Sequence, residues 1–246
     1  MPEGPSLILF REELLFLEGK RVKAVAGNAK IDQLKLQGKV IRELRTWGKH
    51  LLIRFDDFSI RIHFLMFGTY YINSEKPDAE SRLRLRLETA KGYVNFYTCA
   101  VKMIEEPLDE VYDWTTDVLS ASWDPKKART KLKAMPDTLV TDALLDQTVF
   151  SGVGNIIKNE VLYRIRVHPL STIGTLPPRK LGELIREARQ YSFEFLEWKR
   201  AFTLRQHWLV HTKRTCTRDG EPIRKEHLGL TNRRTFFCPA CQKLYT

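Results

Sequence analysis

At 246 residues the chain is long enough for one large or two modest domains, each burying its own core, and too long for a peptide scaffold. Its 41 Lys and Arg against 30 Asp and Glu leave a formal charge of +11, which favours a polyanionic partner, either nucleic acid or an acidic membrane surface. No apolar run approaches the length of a membrane span, and the start Met1-Pro2-Glu3-Gly4 lacks the basic-then-apolar order of a signal peptide. These features predict a soluble cytoplasmic protein, and charge alone does not choose between the two partners; the expectation is a bacterial monomer with no membrane partner.

Residues 7–17 are apolar around most of a helix and stop at Gly19, which predicts a largely buried helix. From Val22 to Ile104 the pattern changes to short β segments, at 39–44, 50–55, 59–64, 69–72, 82–88 and 93–99. In the fifth of these, Leu83, Leu85 and Leu87 alternate with Arg82, Arg84 and Arg86, as a half-buried strand requires. An antiparallel sandwich follows, and residues 105–123 bridge to the next domain.

Helix signals return with Asp124 as N-cap and Pro125 at the first helical position, and again with Thr138 ahead of 139–147. After the loop at 151–154, residues 155–166 read as an amphipathic helix, and 179–199 as another. The last 40 residues hold eight Lys or Arg against three Asp or Glu, so this small terminal unit is the place to meet phosphates.

Two features carry chemistry. Three of the four cysteines, Cys216, Cys238 and Cys241, crowd the end of the chain, a spacing that suits a metal site better than a disulfide framework. A tetrahedral zinc needs a fourth ligand, and Asp219 stands where a second paired cysteine would stand, with His227 in the intervening loop as the alternative. At the other end, removal of Met1 would free the secondary amine of Pro2. An α-amino group with a pKa of about 8 is partly unprotonated at neutral pH and can attack a sugar carbon to give an iminium. Glu3 lies beside it as a proton carrier.

Met1-Pro2-Glu3-Gly4-Pro5, Leu145-Asp146-Gln147 with Gly152-Val153-Gly154-Asn155, and Arg233 followed by Cys238-x-x-Cys241-Gln242 together resemble, in order and spacing, the formamidopyrimidine-DNA glycosylase and endonuclease VIII family. The resemblance spans the whole chain. It implies an α+β multidomain fold: an N-terminal antiparallel β-sandwich with flanking helices (1–120), a helical helix-two-turns-helix domain (121–206) and a zinc-finger β-hairpin (207–246). It implies a bifunctional DNA glycosylase and abasic-site lyase of base excision repair, acting on damaged DNA. Oxidised pyrimidines are the favoured substrates, through a Schiff base at Pro2 and β,δ-elimination.

Carried over residue by residue, the resemblance makes Pro2 the nucleophile, Glu3 the acid/base and Lys49 the lysine that reaches the damaged nucleotide. Asn155 after Gly152 and Gly154 would hold a phosphate, where small glycines admit backbone N–H groups to an anion. A plain helix N-cap is the other role open to Asn155. Arg233 would grip phosphates through its planar donor fork. Leu65, Met66 and Phe67 fall where the endonuclease VIII branch inserts three side chains into the gap left by an everted base. The formamidopyrimidine branch takes part of its wedge from a stretch near residue 100, and residues 97–102 do not match it. Cys99 in that stretch reads as a small buried hydrophobe. One structural zinc per chain would sit on Cys216, Asp219, Cys238 and Cys241. Two departures stand out, Ser6 in place of a usual glutamate and Asp219 in place of a usual cysteine. They make a catalytically impaired DNA-binding homologue one alternative, and an oxidised-purine glycosylase is another.

Overall fold

The computed structural model describes residues 2–77 and 79–246, and the chain separates into two compact units on either side of the Tyr112–Asp113 bond. Among the described residues no helix is long and apolar enough to cross a membrane.

The first unit opens with α1 (Gly4–Leu14), which starts earlier than the apolar pattern indicates because Pro5 fits the first turn. A short 3₁₀ turn at Leu15–Leu17 ends it before Gly19, whose φ of +72° turns the chain. Eight strands follow: β1 (Ala24–Ala26), β2 (Glu43–Trp47), β3 (His50–Arg54), β4 (Ser59–His63), β5 (Thr69–Ile72), β6 (Leu83–Thr89), β7 (Gly92–Tyr97) and β8 (Ala100–Ile104). They form two four-stranded antiparallel sheets, in the orders β1-β6-β7-β5 and β2-β3-β4-β8. One apolar cluster joins both sheets to α1, with Leu7, Leu44, Leu51, Ile62, Leu87 and Phe96 fully buried. This is the expected sandwich.

Most strand ends differ from the sequence pattern by one to four residues, and two strands, β1 and β8, fall outside the six segments it predicts. Residues 39–41 leave the β2 ladder because Ile41 bonds back to Gly19 and Lys20, closing the exit from α1. Arg82 belongs to a 3₁₀ turn rather than to β6, and the register shifts between Leu83 and Leu85. Cys99 is buried in the cluster, and burial pushes its thiol up to about 12. The bridging stretch contains one short α-helix, α2 (Leu108–Val111), and a 3₁₀ turn at Trp114–Thr116.

The second unit contains α3 (Pro125–Lys133), α4 (Val140–Leu145), α5 (Asn155–Arg164), α6 (Pro178–Arg200) and a hairpin of β9 (Arg224–Leu228) with β10 (Arg233–Phe237). Asp124 caps α3 as its sequence indicates, accepting from the Lys126 and Lys127 amides at 2.8 and 3.1 Å. Thr138 does not cap α4. Its carbonyl accepts from Ile173 while Leu139 stands at the N-cap without a side-chain bond, so pairing with the 172–173 segment outweighs local capping. Helix α5 is not amphipathic: every residue from Ile157 to Tyr163 is buried, Lys158, Asn159 and Glu160 included.

Candidate functional site

In the first unit Pro2 and Glu3 precede α1, and Glu3 is the N-cap residue, only 3% exposed. Its carbonyl accepts from the Ser6 amide at 2.8 Å, and Ser6 is itself buried in the first turn. The position of the usual glutamate is thus filled by a small side chain within the helix packing. Helix α1 lies against β2 and β3. The turn joining those strands carries Lys49: Trp47 pairs with His50, leaving a two-residue turn in which Gly48 takes a φ of +51°.

The turn is set among imidazoles. The His50 and His63 rings lie 5.1 Å apart. Burial, together with Arg61, His63 and Lys49, pushes His50 down to about 3, and burial with Arg61 and Lys49 also lowers His63. Both rings are therefore neutral at physiological pH, and the charge in this region belongs to Lys49 and Arg61.

His63 ends β4, and the loop to β5 exposes three consecutive apolar side chains. Leu65 is 45%, Met66 49% and Phe67 75% exposed, while the preceding Phe64 is buried. The loop is tight. The Gly68 amide donates to the Phe64 carbonyl at 2.7 Å, a Cβ on Gly68 would fall 2.2 Å from that oxygen, and Leu65 takes a left-handed φ of +52°. Three adjacent large apolar groups held outward on a fixed turn lose contact with water only when something covers them.

In the second unit the loop between α4 and α5 is braced by Gln147. Its amide donates to the Leu145 and Val153 carbonyls at 2.8 and 3.1 Å, and its carbonyl oxygen accepts from the Gly152 amide at 3.1 Å. Gly152 has a φ of +100°, and Gly154 is the N-cap of α5. Asn155 is consequently the first helical residue and not the cap. Its side-chain nitrogen donates to the Arg234 carbonyl at 2.8 Å, tying the loop to β10 one residue beyond Arg233, and its Oδ1 is buried with no partner among the described residues. The structure so brings together the Gly152–Asn155 loop and the start of the strand that carries Arg233.

Behind that junction lies a layer of buried polar groups. Lys158 Nζ donates to Thr235 Oγ1 at 2.8 Å, Asn159 contacts the Phe236 amide and His211, and Glu160 accepts from the amides of Leu209, Val210 and His211 at 2.9, 3.0 and 2.7 Å. Burial pushes the Glu160 carboxyl up, and the three amides oppose the shift. Neither these residues nor Gln147 carries a role that the sequence alone indicates. The only local signal was three consecutive polar residues on a helix that is otherwise apolar.

At the end of the chain, ligand atoms of Cys216, Asp219, Cys238 and Cys241 all lie within 4.8 Å of one another. Cys216 and Cys241 sulfurs are 3.8 Å apart, and Cys238 Sγ is 3.2 Å from Asp219 Oδ2. Asp219 thus completes the group. His227 does not: it is exposed on β9 and its Nδ1 faces the Asn232 carbonyl at 3.0 Å. Three thiols and one carboxylate converging on a common point fit a tetrahedral zinc ion. Gln242 fixes the Cys238–Cys241 turn, accepting from the Cys238 amide and donating to the Val167 carbonyl, both at 2.8 Å.

Comparison with known proteins agrees with this layout. Residues 1–100 match the formamidopyrimidine-DNA glycosylase N-terminal domain, and 115–199 the helix-two-turns-helix domain of the same enzymes. The DNA-(apurinic or apyrimidinic site) lyase Nei2 of Mycolicibacterium smegmatis is 32% identical over 98% of this chain and 99% of its own. Endonuclease 8-like 3 of Xenopus laevis is 28% identical over 94% of this chain, which spans only 39% of that protein's length. Among solved structures, the formamidopyrimidine-DNA glycosylase of Lactococcus lactis bound to DNA with an abasic site superposes with a TM-score of 0.84. It is 23% identical and covers 98% of this chain and 99% of its own, a likeness of fold.

Proposed function

Because this chain belongs to the formamidopyrimidine-DNA glycosylase and endonuclease VIII family, we propose that it is a DNA glycosylase and abasic-site lyase of base excision repair, with Pro2 as its nucleophile. The observation that carries this reading is the placement of Pro2 and the buried Glu3 at the head of α1, the helix that packs on the two strands joined by Lys49. A reactive amine, a carboxylate and a fixed cation then belong to one rigid unit.

The chemistry follows from those groups. With Met1 removed, the Pro2 nitrogen attacks C1′ of the damaged nucleotide, and the glycosidic bond breaks as the base leaves with its electron pair and a proton. The Pro2 nitrogen loses its proton and its lone pair expels O4′, which takes up a proton as the C1′–O4′ bond breaks, and the resulting iminium of the opened sugar acidifies the C2′ proton. Its loss expels the 3′ phosphate, and a second elimination expels the 5′ phosphate, with Glu3 carrying protons. Lys49, in the turn between β2 and β3, compensates charge on the phosphate or the opened sugar.

Leu65, Met66 and Phe67 serve as the wedge that supports the strand once the base has left the stack. All three come from one loop, which is the reason to favour oxidised pyrimidines over oxidised purines as substrates. Asn155 and Arg233 hold backbone phosphates and position the strand without reading its sequence. Cys216, Asp219, Cys238 and Cys241 would hold one zinc ion, which supplies structure to the finger and, with four protein ligands, has no open position for chemistry.

Incubation with oligonucleotides that each carry one lesion tests the reading. Excision of oxidised pyrimidines, with strand breaks bearing phosphate at both ends, is expected. Preferred excision of oxidised purines would reassign the substrate, and binding without strand cleavage would leave a non-catalytic homologue. Elemental analysis should give close to one zinc per chain, and Cys238→Ser should lose it; metal-free protein purified without chelator would overturn the zinc assignment.

A further inference from the structure

The second unit carries a groove that the chemistry above does not use. It runs between α3 and α6, encloses about 830 Å³, and has Trp123, Ile185 and Phe193 among its apolar lining. On α6 it is formed by Gly182, Arg186, Arg189 and Phe193, a stripe at three- and four-residue spacing beside the buried stripe of Leu184, Ala188, Tyr191 and Phe195. Gly182 opens the middle of the groove, where Arg129 of α3 lies across it: a Cβ on Gly182 would stand 3.0 Å from Arg129 Nη2. Beyond Arg129 the lining continues into a second depression of about 190 Å³ floored by Ile173, Leu176 and Leu181.

Charge along the groove is one-sided. Lys126, Arg129, Arg186 and Arg189 line it, and among the described residues Lys126, Arg129 and Arg186 have no carboxylate partner. The one acidic side chain of the lining, Glu194, is already engaged by Arg164 at 2.7 Å and by Gln190 at 2.9 Å. An occupant therefore meets an apolar floor under uncompensated cations. It needs a large apolar group to fill the floor and negative charge beside that group to meet the rim.

Single-stranded nucleic acid offers phosphates, and its bases stack on aromatic faces. Here those faces are partly taken. Trp123 is stacked on Phe150, with centroids 5.9 Å apart, and the Arg189 guanidinium lies 5.1 Å over the Phe193 ring. The remaining floor is aliphatic, from Ile185 and the stems of the arginines.

We propose that the groove between α3 and α6 is a docking site for an acidic peptide segment with an aromatic or large aliphatic anchor, belonging to a partner protein. The anchor fills the floor beside Ile185 and Phe193, and flanking carboxylates pair with Lys126, Arg129 and Arg186. The site recruits the protein to a partner without engaging Pro2, Glu3, Asn155 or Arg233.

A fluorescein-labelled six-residue probe, two aspartates on each side of a central Phe-Leu pair, tests this by anisotropy against the full chain. Saturable binding is expected, weakening with added salt. Replacing Phe-Leu by Ala-Ala, or the aspartates by lysines, should each weaken it at least ~10-fold. The double variant Lys126→Glu, Arg186→Glu should weaken the acidic probe by at least ~10-fold through the rim. Gly182→Met, whose side chain enters the groove and displaces only the mobile end of Arg129, should do so without changing any charge. Both variants should melt no lower than the parent by more than a few degrees and should cleave abasic-site DNA at the parental rate. Equal binding of the acidic, alanine and lysine probes would overturn the proposal. So would displacement of the acidic probe by a ten-residue oligothymidylate, together with a parallel loss of oligothymidylate affinity in both variants, which would make the groove a single-strand track.

Discussion

In the first unit the core is a single apolar cluster, and the candidate reactive residues lie at its margins: Pro2 and Glu3 ahead of α1, Lys49 in a two-residue turn, and Leu65 to Phe67 in a tight loop. In the second unit Asn155 and Arg233 rest on a layer of fully buried polar groups, Lys158, Asn159 and Glu160, that bonds α5 to β10 and to residues 209–211. The first arrangement needs only helix packing and strand register to place its groups, so reactive residues can change without disturbing the core. The second needs every polar bond to be made, because a buried donor or acceptor without a partner costs about 1–3 kcal/mol. The sandwich thus separates the proposed chemistry from stability, whereas the helical unit couples its candidate phosphate-binding residues to its own folding.

The largest expected effect lies in the first unit and on rate alone. Glu3→Gln should lower single-turnover excision by roughly 10²–10⁴-fold, the span of general acid–base catalysis, with lesion-DNA affinity nearly unchanged. A variant that excised at the parental rate would remove Glu3 from the mechanism.

Next comes a change expected to act on stability in the second unit. Glu160→Ala would leave the amides of Leu209, Val210 and His211 without their acceptor, and should cost about 3–5 kcal/mol in denaturant unfolding. Loss of DNA affinity should accompany it, since β10 and the Asn155 loop share this layer. If stability fell by less than ~1 kcal/mol, the buried layer would not be what holds the hairpin, and the contrast between the units would fail.

The smallest effect is expected from the one phosphate contact proposed for Arg233. Arg233→Ala should weaken lesion and undamaged DNA alike, by about tenfold, and lower the salt dependence of binding by roughly one counterion. Its melting behaviour should be that of the parent, because Arg233 is half-exposed at the start of β10 and lies outside the buried layer. An unchanged salt slope would mean that Arg233 does not meet a phosphate.

How much of this could be read beforehand follows the same division. The alternation of Leu83, Leu85 and Leu87, the Asp124-Pro125 helix start and the metal spacing of the last 31 residues are local patterns, and each appears in the structure with small shifts at its ends. Asp219 could be preferred on spacing, and the geometry admits it and excludes His227 from the group. Lys158, Asn159 and Glu160 were not legible. Charged residues on a helix ordinarily mark its solvent face, and the partners that bury these three lie 49 to 77 residues further along the chain. Thr138 looked like a cap because its identity suits one, but the strand-like pairing at Leu139 and Thr172 set the helix start instead. The groove between α3 and α6 had no local signature either, since it exists only once Arg129 and Gly182 face each other.

The proposed chemistry belongs to Pro2, and Lys49 only compensates charge. Both are amines in the same unit, and both can in principle form an imine with an abasic sugar. Protein that has lost Met1 should be reduced with borohydride on abasic-site DNA, digested, and the sugar adduct located by mass spectrometry. The adduct is expected on the N-terminal peptide at the Pro2 nitrogen, with none on the peptide that contains Lys49; an adduct on Lys49, or equal trapping by Pro2→Gly, would contradict the assignment of the nucleophile to Pro2.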